Sequence, residues 1–334
     1  MRARPRASAP AVVAMITDVP GVRVGHATDP VALTGVSVVL CDTPAVAGVE
    51  MRGWANDVIG LDYLDPRHLV GVVDGIVLGG GSRFGGEAIW GVLRWLEQQG
   101  RGYAAGSARV PHVPGAFLFD LNVGDGRVRP TREMGFEAAR GAADGPVAEG
   151  NVGAGAGASV GKIHGRPRAM RGGIGSASVT ADGMIVGALV AVNALGDVRD
   201  PDTGALVAGA RDAPDGRRLV DSARALRSTG APERFAAPAH TTIGVVATNA
   251  RLGKAEAAKV ASLGMLGFAA ALSPPHTAFD GDTLFALSLG QVAADVTRLG
   301  LLAAEAVAQA IVRGVRAATS LPDLPAARDL FPRA

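Results

Sequence analysis

The sequence predicts a layered fold of the α+β or α/β/α class. Three observations predict it. Short β-rich runs near the start are punctuated by Gly, Pro and Asp, later strands are separated by long helices, and several strands are continuously apolar rather than alternating. Continuous apolar strands are expected where helices cover both faces of a sheet. The length of 334 residues fits two average domains or one large layered domain.

The first half of the chain begins with strands. Residues 16–41 alternate β-rich runs with turn residues, which predicts an antiparallel hairpin or meander. Residues 74–100 predict a strand, a glycine loop and a helix with one apolar face that ends at Gly100. PHVPGAFLFDL then predicts a strand, and the segment after it a helix capped near Thr131.

The second half is richer in glycine and alanine. Residues 151–193 predict neighbouring strands in close backbone contact, and residues 199–238 predict a mobile surface linker with a helical patch at LVDSARALR. The remaining elements are a strand, a long helix, a turn with a strand, and a final helix, at TTIGVVATNA, KAEAAKVASLGMLGFAAAL, FDGDTLFALSLG and QVAADVTRLGLLAAEAVAQAIVRGVRAA.

Composition narrows the class of function. Hydrophobic residues make up 48% and aromatic residues 4%, with 47 glycines, so the core must consist of Val, Ala and Leu packed against glycine-lined backbone. The net charge is +2 and the basic residues are scattered, which argues against a nucleic-acid partner. Cys41 is the single cysteine, so no internal disulfide or thiolate zinc cluster is possible, and we expect a cytoplasmic protein.

Neither a membrane span nor a signal segment is predicted. The longest apolar run, near residues 184–192, is far shorter than the roughly 20 residues that a membrane helix requires. Residues 1–15 have a basic start and a short apolar patch without a full hydrophobic segment, so we expect a disordered leader there, with Met15 as a plausible start.

Three short motifs resemble ligand sites but lack required residues. GAGAGASVGKI differs from a phosphate loop at Ala156 and Ile163, and LGGGSRFGG carries Phe84 where a dinucleotide fingerprint has its third glycine. FDGDT starts like a calcium loop, but no further acidic ligand follows. The six histidines never show the i, i+4 spacing of a helical metal pair, so no metal or nucleotide cofactor is predicted.

Paired hydroxyls stand before a core strand. HTTIGVVATNA places Thr241 and Thr242 directly after a small-residue linker. A threonine hydroxyl needs a base, and its own amino group becomes one if the chain is cut before it, with an ordinary pKa near ~8. From this stretch alone, threonines that cap a turn or pair across strands are the commoner interpretation.

Six sequence blocks resemble one family. In order they are GIVLGGGSRFGGEAIWGVLRWLEQQG, VPHVPGAFLFDL, GASVGK, VAVNALGDV, HTTIGVVATNA and FDGDTLFAL. From about Ile16 to Leu330 the chain resembles the self-processing peptidases that include L-aminopeptidase/D-amidase-esterases, β-peptidyl aminopeptidases and nylon-oligomer (6-aminohexanoate oligomer) hydrolases. The resemblance implies a four-layer α/β/β/α sandwich similar to N-terminal-nucleophile hydrolases. It also implies one domain, residues 16–334, cut into associated chains 1–240 and 241–334.

The resemblance also assigns site residues. It implies that Thr241 is the nucleophile and that the His240–Thr241 bond is the processing site. Asp280 and Asp282 match paired polar positions on a turn near the nucleophile, where they would orient its hydroxyl and hold the new ammonium. A second interpretation stays open, because two Asp on a turn more often are solvated or accept hydrogen bonds from backbone amides.

Two further residues complete the implied site, and two positions depart from the family. Lys162 falls in the family's Gly-Lys position, where its cation could lower the pKa of the nucleophile or polarise a carbonyl, although such a lysine is ordinarily at the surface. Asn193 lies in an apolar strand, and its NH2 group suits an oxyanion donor. His240 stands where relatives commonly have Asn or Gly, and Phe119 where some have Tyr.

The implied function is an autoprocessed N-terminal-threonine hydrolase that cleaves amide or ester bonds of small peptides or amino-acid derivatives, without metal or organic cofactor. The resemblance further implies a homo-oligomer, a tetramer of processed pairs. Two alternatives stay open: an acyltransferase of the ornithine acetyltransferase type, and an unprocessed, non-catalytic oligomeric ligand-binding protein. The sequence leaves α-, β-, D- and ω-amino amides open as substrates.

Overall fold

The structure, a computed structural model, describes residues 13–228 and 240–332. Residues 1–12 of the predicted leader and residues 229–238 of the predicted linker therefore lie outside the described residues. The strands are β1 (Val22–Asp29), β2 (Thr34–Met51), β3 (Val58–Ile59), β4 (Val73–Gly79), β5 (Tyr103–Ala105), β6 (Ala108–Val110), β7 (Gly115–Phe117), β8 (Ser159–Val160), β9 (Met170–Arg171), β10 (Gly173–Ala181), β11 (Met184–Val192), β12 (Asp197–Arg199), β13 (Leu206–Ala208), β14 (Ile243–Ala250), β15 (Leu272–Ser273) and β16 (Thr283–Val292).

Five of the six described α-helices occupy segments that the sequence predicts, and the short last helix was not predicted. The helices are α1 (Glu87–Gln98), α2 (Arg132–Arg140), α3 (Ser222–Ser228), α4 (Lys254–Ala271), α5 (Val296–Ala317) and α6 (Ala327–Leu330). The hydroxyl of Thr131 accepts a hydrogen bond from the backbone N–H of Met134, so the predicted N-cap of α2 is confirmed. None of the described helices combines the length and the apolar character needed to cross a membrane.

The long strand β2 belongs to two sheets. Its first half pairs antiparallel with β1 and β4, with Val38 opposite Val77, and its second half pairs antiparallel with β16, with Gly48 opposite Ala286. A register shift between Leu40 and Ala45 separates the two halves. The first sheet continues from β4 to β7 and β3, and the second from β16 to β14, β11 and β10. The antiparallel start that the sequence predicts is the β1–β2 pair.

Apolar clusters stack the molecule into four layers. One cluster joins α1 and α2 to the first sheet, a second fills the space between the sheets, and a third joins the second sheet to α4 and α5. In β16, Leu284 belongs to the helix-facing cluster and its neighbour Phe285 to the inter-sheet cluster, as the period of two in a strand requires. Both faces are therefore covered, which explains the continuously apolar strands, and the predicted four-layer α/β/β/α order is confirmed.

Glycine allows the helices to lie against the sheets. A Cβ added to Gly48 of β2 would lie 2.1 Å from the backbone nitrogen of Ala258 in α4. A Cβ added to Gly175 of β10 would lie 2.2 Å from the carbonyl oxygen of Ala310 in α5. Distances this short do not occur between nonbonded atoms, so side chains at these positions would push the helices off the sheet.

The prediction of a mobile surface linker at 199–238 is wrong for part of the segment that the structure describes, residues 199–228. β13 pairs with β12, and β12 pairs with β15, so this segment joins a small sheet, while Ala210 and Ser222 are fully buried. Buried Asp197 organises the segment, because its carboxylate accepts hydrogen bonds from the Ala210 N–H and from the N–H and hydroxyl of Ser222. The predicted helical patch is confirmed as α3.

Replacing Gly48 by alanine should destabilise the fold through overpacking between β2 and α4. We expect the free energy of unfolding in urea to fall by about 1–3 kcal/mol, measured on intact chains that also carry Thr241→Ala. Gly71→Ala is the matched control, because a Cβ at Gly71 meets nothing within 4 Å. Equal unfolding midpoints for the two variants would contradict the close approach.

Candidate active site

Two parallel strands place the implied site residues side by side. Ile243 of β14 pairs with Thr283 of β16, so the segments that enter these strands run next to each other. His240 and Asp280 form a further parallel bridge just before the strands begin. The structure therefore brings the two threonines and the two aspartates together.

Asp280 is buried and satisfied mainly by backbone groups. Asp280 is 1% exposed. Its carboxylate oxygens accept hydrogen bonds from the N–H of Leu195 at 3.2 Å and from the N–H of Thr277 at 3.0 Å. The Thr277 hydroxyl also donates to it. Burial, and next the negative charge of Asp282, raise the pKa of Asp280 to about 6.

Asp282 is equally buried and holds the second threonine. Its Oδ1 accepts from the N–H of Thr242 at 2.9 Å, and its Oδ2 lies 3.1 Å from the N–H and 2.8 Å from the ring Nδ1 of His276. The interpretation that Asp280 and Asp282 are solvated is therefore wrong. The interpretation that they accept hydrogen bonds from backbone amides is confirmed. Among the described hydrogen bonds, neither carboxylate contacts the Thr241 hydroxyl.

The carbonyl group before Thr241 receives two donors. Thr241 is 4% exposed, and its hydroxyl donates to the carbonyl oxygen of His240 at 2.6 Å. The N–H of Gly281 donates to the same oxygen at 2.9 Å. The N–H of Thr241 itself donates to the carbonyl oxygen of Asn193 at 3.0 Å. A hydroxyl, a carbonyl and an oxyanion-type donor thus meet at one peptide bond.

Asn193 and Lys162 form the opposite wall of this site. The Nζ of Lys162 lies 2.8 Å from Oδ1 and 2.9 Å from the carbonyl oxygen of Asn193, so the interpretation as a surface lysine is wrong. Asn193 is fully buried, its Oδ1 also accepts from the N–H of Ser159, and its Nδ2 donates to the carbonyl oxygen of Phe119. Lys162 and the Thr241 N–H therefore share one acceptor.

Burial controls the charge of Lys162. It lowers the pKa of the ammonium to about 7, although the nearby carboxylates of Asp280, Asp282 and Asp120 raise it. Burial, with a smaller contribution from Lys162, also lowers the pKa of His240 to about 2, so this imidazole is neutral at physiological pH. Near neutral pH the lysine can therefore both donate and accept a proton.

Sequence reasoning missed His276, Thr277 and the backbone amide of Gly281. Both side chains fix the aspartates, and the Gly281 N–H contacts the carbonyl group before Thr241. The spacing of His276 excludes a helical metal pair but gives no sign of its aspartate partner, and a backbone donor leaves no signature in side-chain spacing. Among the described residues, no group of three or more His, Cys, Asp or Glu side chains is arranged to hold a metal ion.

A cavity of about 270 Å³ opens at Thr241. Its walls include Asn56, Asp57, Ser82, Arg83, Phe117 and Phe119. The segment 52–57 is fastened to the aspartate turn, because the N–H of Ala55 donates to the carbonyl of Asp280 and the side chain of Asn56 to that of Asp282. The cavity wall and the turn therefore form one hydrogen-bonded unit.

Comparison with known proteins identifies relatives over nearly the whole chain. The model of "Peptidase family S58" matches residues 14–325. A Mycobacterium tuberculosis protein named as an uncharacterized aminopeptidase is 41% identical, with 96% of this chain and 98% of the relative covered. A 6-aminohexanoate-oligomer endohydrolase of an Agromyces species is 30% identical, with 88% and 84% covered.

Solved structures share the fold. The L-aminopeptidase D-Ala-esterase/amidase of Ochrobactrum anthropi, described as a variant of the Ntn hydrolase fold, superposes with a TM-score of 0.71 at 21% identity, covering 97% of this chain and 94% of that one. A β-aminopeptidase of a Burkholderia species gives 0.67 at 24% identity, covering 99% and 98%. At these identities the likeness shows the fold alone, and it confirms the predicted resemblance to N-terminal-nucleophile hydrolases.

The lowered pKa of Lys162 should make stability pH-dependent. The folded protein holds this proton less tightly than the unfolded chain, so a charged Lys162 destabilises the fold fully below about pH 7, and the penalty shrinks as the pH rises towards 10.5. Relative to Lys162→Met, the wild type should gain stability between pH 7 and 9, by at most about 1.4 kcal/mol per pH unit. Urea unfolding at several pH values measures this, with Thr241→Ala added to both chains so that each unfolds as one intact chain.

Lys259→Met is the control for a general effect of removing a lysine, because Lys259 is exposed. Its stability should follow that of the wild type across the same pH range. A constant difference between wild type and Lys162→Met would contradict the lowered pKa.

Proposed function

The chain belongs to Peptidase family S58, a family of hydrolases, and on this premise we propose that it cuts its own His240–Thr241 bond and uses the freed Thr241 as a nucleophile. The contact between the Thr241 hydroxyl and the His240 carbonyl, which also accepts the Gly281 N–H, carries the proposal. The six sequence blocks predicted this family, and the family match confirms that prediction.

Self-cleavage would begin with attack of Thr241 Oγ1 on the carbonyl carbon of His240. The developing oxyanion accepts the Gly281 N–H. The C–N bond then breaks, the hydroxyl proton is transferred to the leaving nitrogen, and an ester joins His240 to Thr241 Oγ1. Water hydrolyses this ester, which gives a carboxylate on His240 and restores the threonine hydroxyl. Each new chain end is made from groups that already touch.

The freed α-amine would be the base for turnover. In the intact chain the Thr241 nitrogen donates to the Asn193 carbonyl, which Lys162 also contacts, so the new amine would stay beside a cation. A neighbouring cation lowers the pKa of an amine and keeps more of it unprotonated. The amine accepts the hydroxyl proton, Thr241 forms an acyl ester with the substrate, and water releases the acyl group.

The substrate class follows from the relatives as a proposal. One relative is named an aminopeptidase and another a 6-aminohexanoate-oligomer endohydrolase. We therefore propose amide or ester bonds of small peptides or amino-acid derivatives as substrates, and the cavity at Thr241 as the place of the acyl group. The cytoplasmic location and the homo-oligomer, a tetramer of processed pairs, stay predictions.

Thr241→Ala should abolish both self-cleavage and amide hydrolysis, because the hydroxyl is the attacking group in each. Intact-mass spectrometry under denaturing conditions should show the wild type as two pieces, 1–240 and 241–334, and the variant as one chain. Thr242→Val is the matched control, because the Thr242 hydroxyl is buried without a hydrogen-bond partner and its N–H contact to Asp282 is retained. This control should cleave like the wild type.

Other outcomes separate the alternatives. A wild type that stays whole and inactive after long incubation supports the unprocessed ligand-binding protein and overturns the proposal. A cleaved wild type whose turnover requires an added amine acceptor supports the acyltransferase alternative instead.

Gly281→Ala should slow self-cleavage. A Cβ at this position would lie 2.2 Å from the Ala55 carbonyl oxygen and 2.9 Å from Thr241 Oγ1, so the turn must move and its N–H leaves the His240 carbonyl. Loss of an oxyanion donor costs about 100-fold or more in rate. The cleaved fraction over time, measured by denaturing electrophoresis, reports the change. Gly145→Ala, where a Cβ meets nothing within 4 Å, should cleave at the wild-type rate; equal rates for the two variants would remove Gly281 from the mechanism.

A further inference from the structure

An ion pair between an exposed arginine and a largely buried aspartate lies on the wall of the cavity that opens at Thr241. The Arg83 Nε is 2.9 Å from Oδ1 of Asp57, whose side chain is 13% exposed, while the Arg83 side chain is 60% exposed. The steps proposed above for Thr241 use neither residue. Asp57 is therefore a carboxylate of low exposure that lines this cavity and has no role in those steps.

The orientation of Asp57 is fixed independently of Arg83. Its Oδ2 accepts from the Ser82 hydroxyl at 3.0 Å, and its backbone carbonyl accepts from the N–H of Phe117 at 2.9 Å. Ser82 adopts a left-handed backbone conformation, with φ of 50°, which is strained for a residue with a side chain. Strain of this kind persists where the surrounding structure requires it, here next to the oriented carboxylate.

Arg83 compensates the charge of Asp57 without a hydrogen bond to its Oδ1. The Arg83 Nε lies 2.9 Å from Oδ1 as an ion pair, but the contact lacks hydrogen-bond geometry, and this buried oxygen accepts no hydrogen bond. The Nη1 of Arg83 instead donates to the Val58 carbonyl. A buried carboxylate oxygen without a donor favours a ligand that brings one, and a cationic donor most of all.

We propose that Asp57 binds the free ammonium group of the substrate, and that the enzyme therefore prefers acyl groups that carry an amine. This inference rests on the proposed hydrolase function. The ammonium would donate to Oδ1 while Ser82 holds Oδ2, and Phe117 and Phe119 would pack against the carbon chain between the amine and the scissile carbonyl. Arg83, being exposed, competes with the substrate for Asp57.

Asp57→Asn tests the preference with paired substrates. The p-nitroanilides of alanine, β-alanine and 6-aminohexanoic acid are compared with those of propionic and hexanoic acid, which lack the amine. For the best amine substrate, the ratio of its kcat/KM to that of its amine-free partner should fall about tenfold or more in the variant, mainly through KM. Rates are divided by the fraction cleaved at 240–241, measured by intact mass.

Arg83→Gln distinguishes a subsite from a structural ion pair. If Asp57 binds the ammonium, this variant removes the competitor and keeps or raises the preference for the amine substrate. If the pair is only structural, both variants change the two substrate types by the same factor, and the proposal is overturned. Asp125→Asn, which breaks the exposed pair with Arg127, is the control for loss of a surface carboxylate and should leave the ratio unchanged.

The two levels of proposal fail differently. A cleaved wild type that hydrolyses amine-free substrates as well as amine-bearing ones overturns the role of Asp57 and leaves the threonine hydrolase standing. A wild type that neither cleaves nor hydrolyses any of the five substrates overturns the hydrolase function, and the subsite with it.

Discussion

The aspartate turn before β16 must satisfy its polar groups without water, and this constraint assembles the site. The two buried carboxylates accept hydrogen bonds from backbone amides of two distant segments, at Leu195 and Thr242, and from the amide of Thr277 in the preceding loop. The backbone carbonyls of Asp280 and Asp282 accept hydrogen bonds from the segment 52–57. Between them, the N–H of Gly281 donates to the carbonyl group before Thr241. Because an unsatisfied buried group costs about 1–3 kcal/mol, these segments are held in one arrangement.

Burial also sets the protonation of the site. It raises the pKa of Asp280 and of Asp120, each to about 6, and lowers that of Lys162 to about 7. The pKa values of the two acids and of the lysine thus approach one another, because burial favours the neutral form of each group. They lie in the range where a general base works near neutral pH. A site of this kind responds to small changes in its surroundings, because proton transfer between such groups costs little free energy.

Much of the fold could be predicted from the sequence, and less of the site. Periodicity and turn residues predict the main helices and strands, because each has a clear apolar face or run. The partners of the aspartates could not be predicted: His276 and Thr277 lie in a short loop without periodicity, and the Gly281 donor is a backbone group. The buried part of 199–228 was missed because one carboxylate, Asp197, orders a polar segment that otherwise has the composition of a linker.

The order of the strands in the second sheet would make the two pieces of a cut chain depend on each other. In the second sheet, β14 and β16 lie side by side between β11 and β2, so a cut before Thr241 would leave the centre of this sheet in one piece and its flanks in the other. Neither piece could complete that sheet alone. Refolding would become a bimolecular reaction that dilution suppresses, and the working life of the cut protein would depend on how slowly it unfolds rather than on its equilibrium stability.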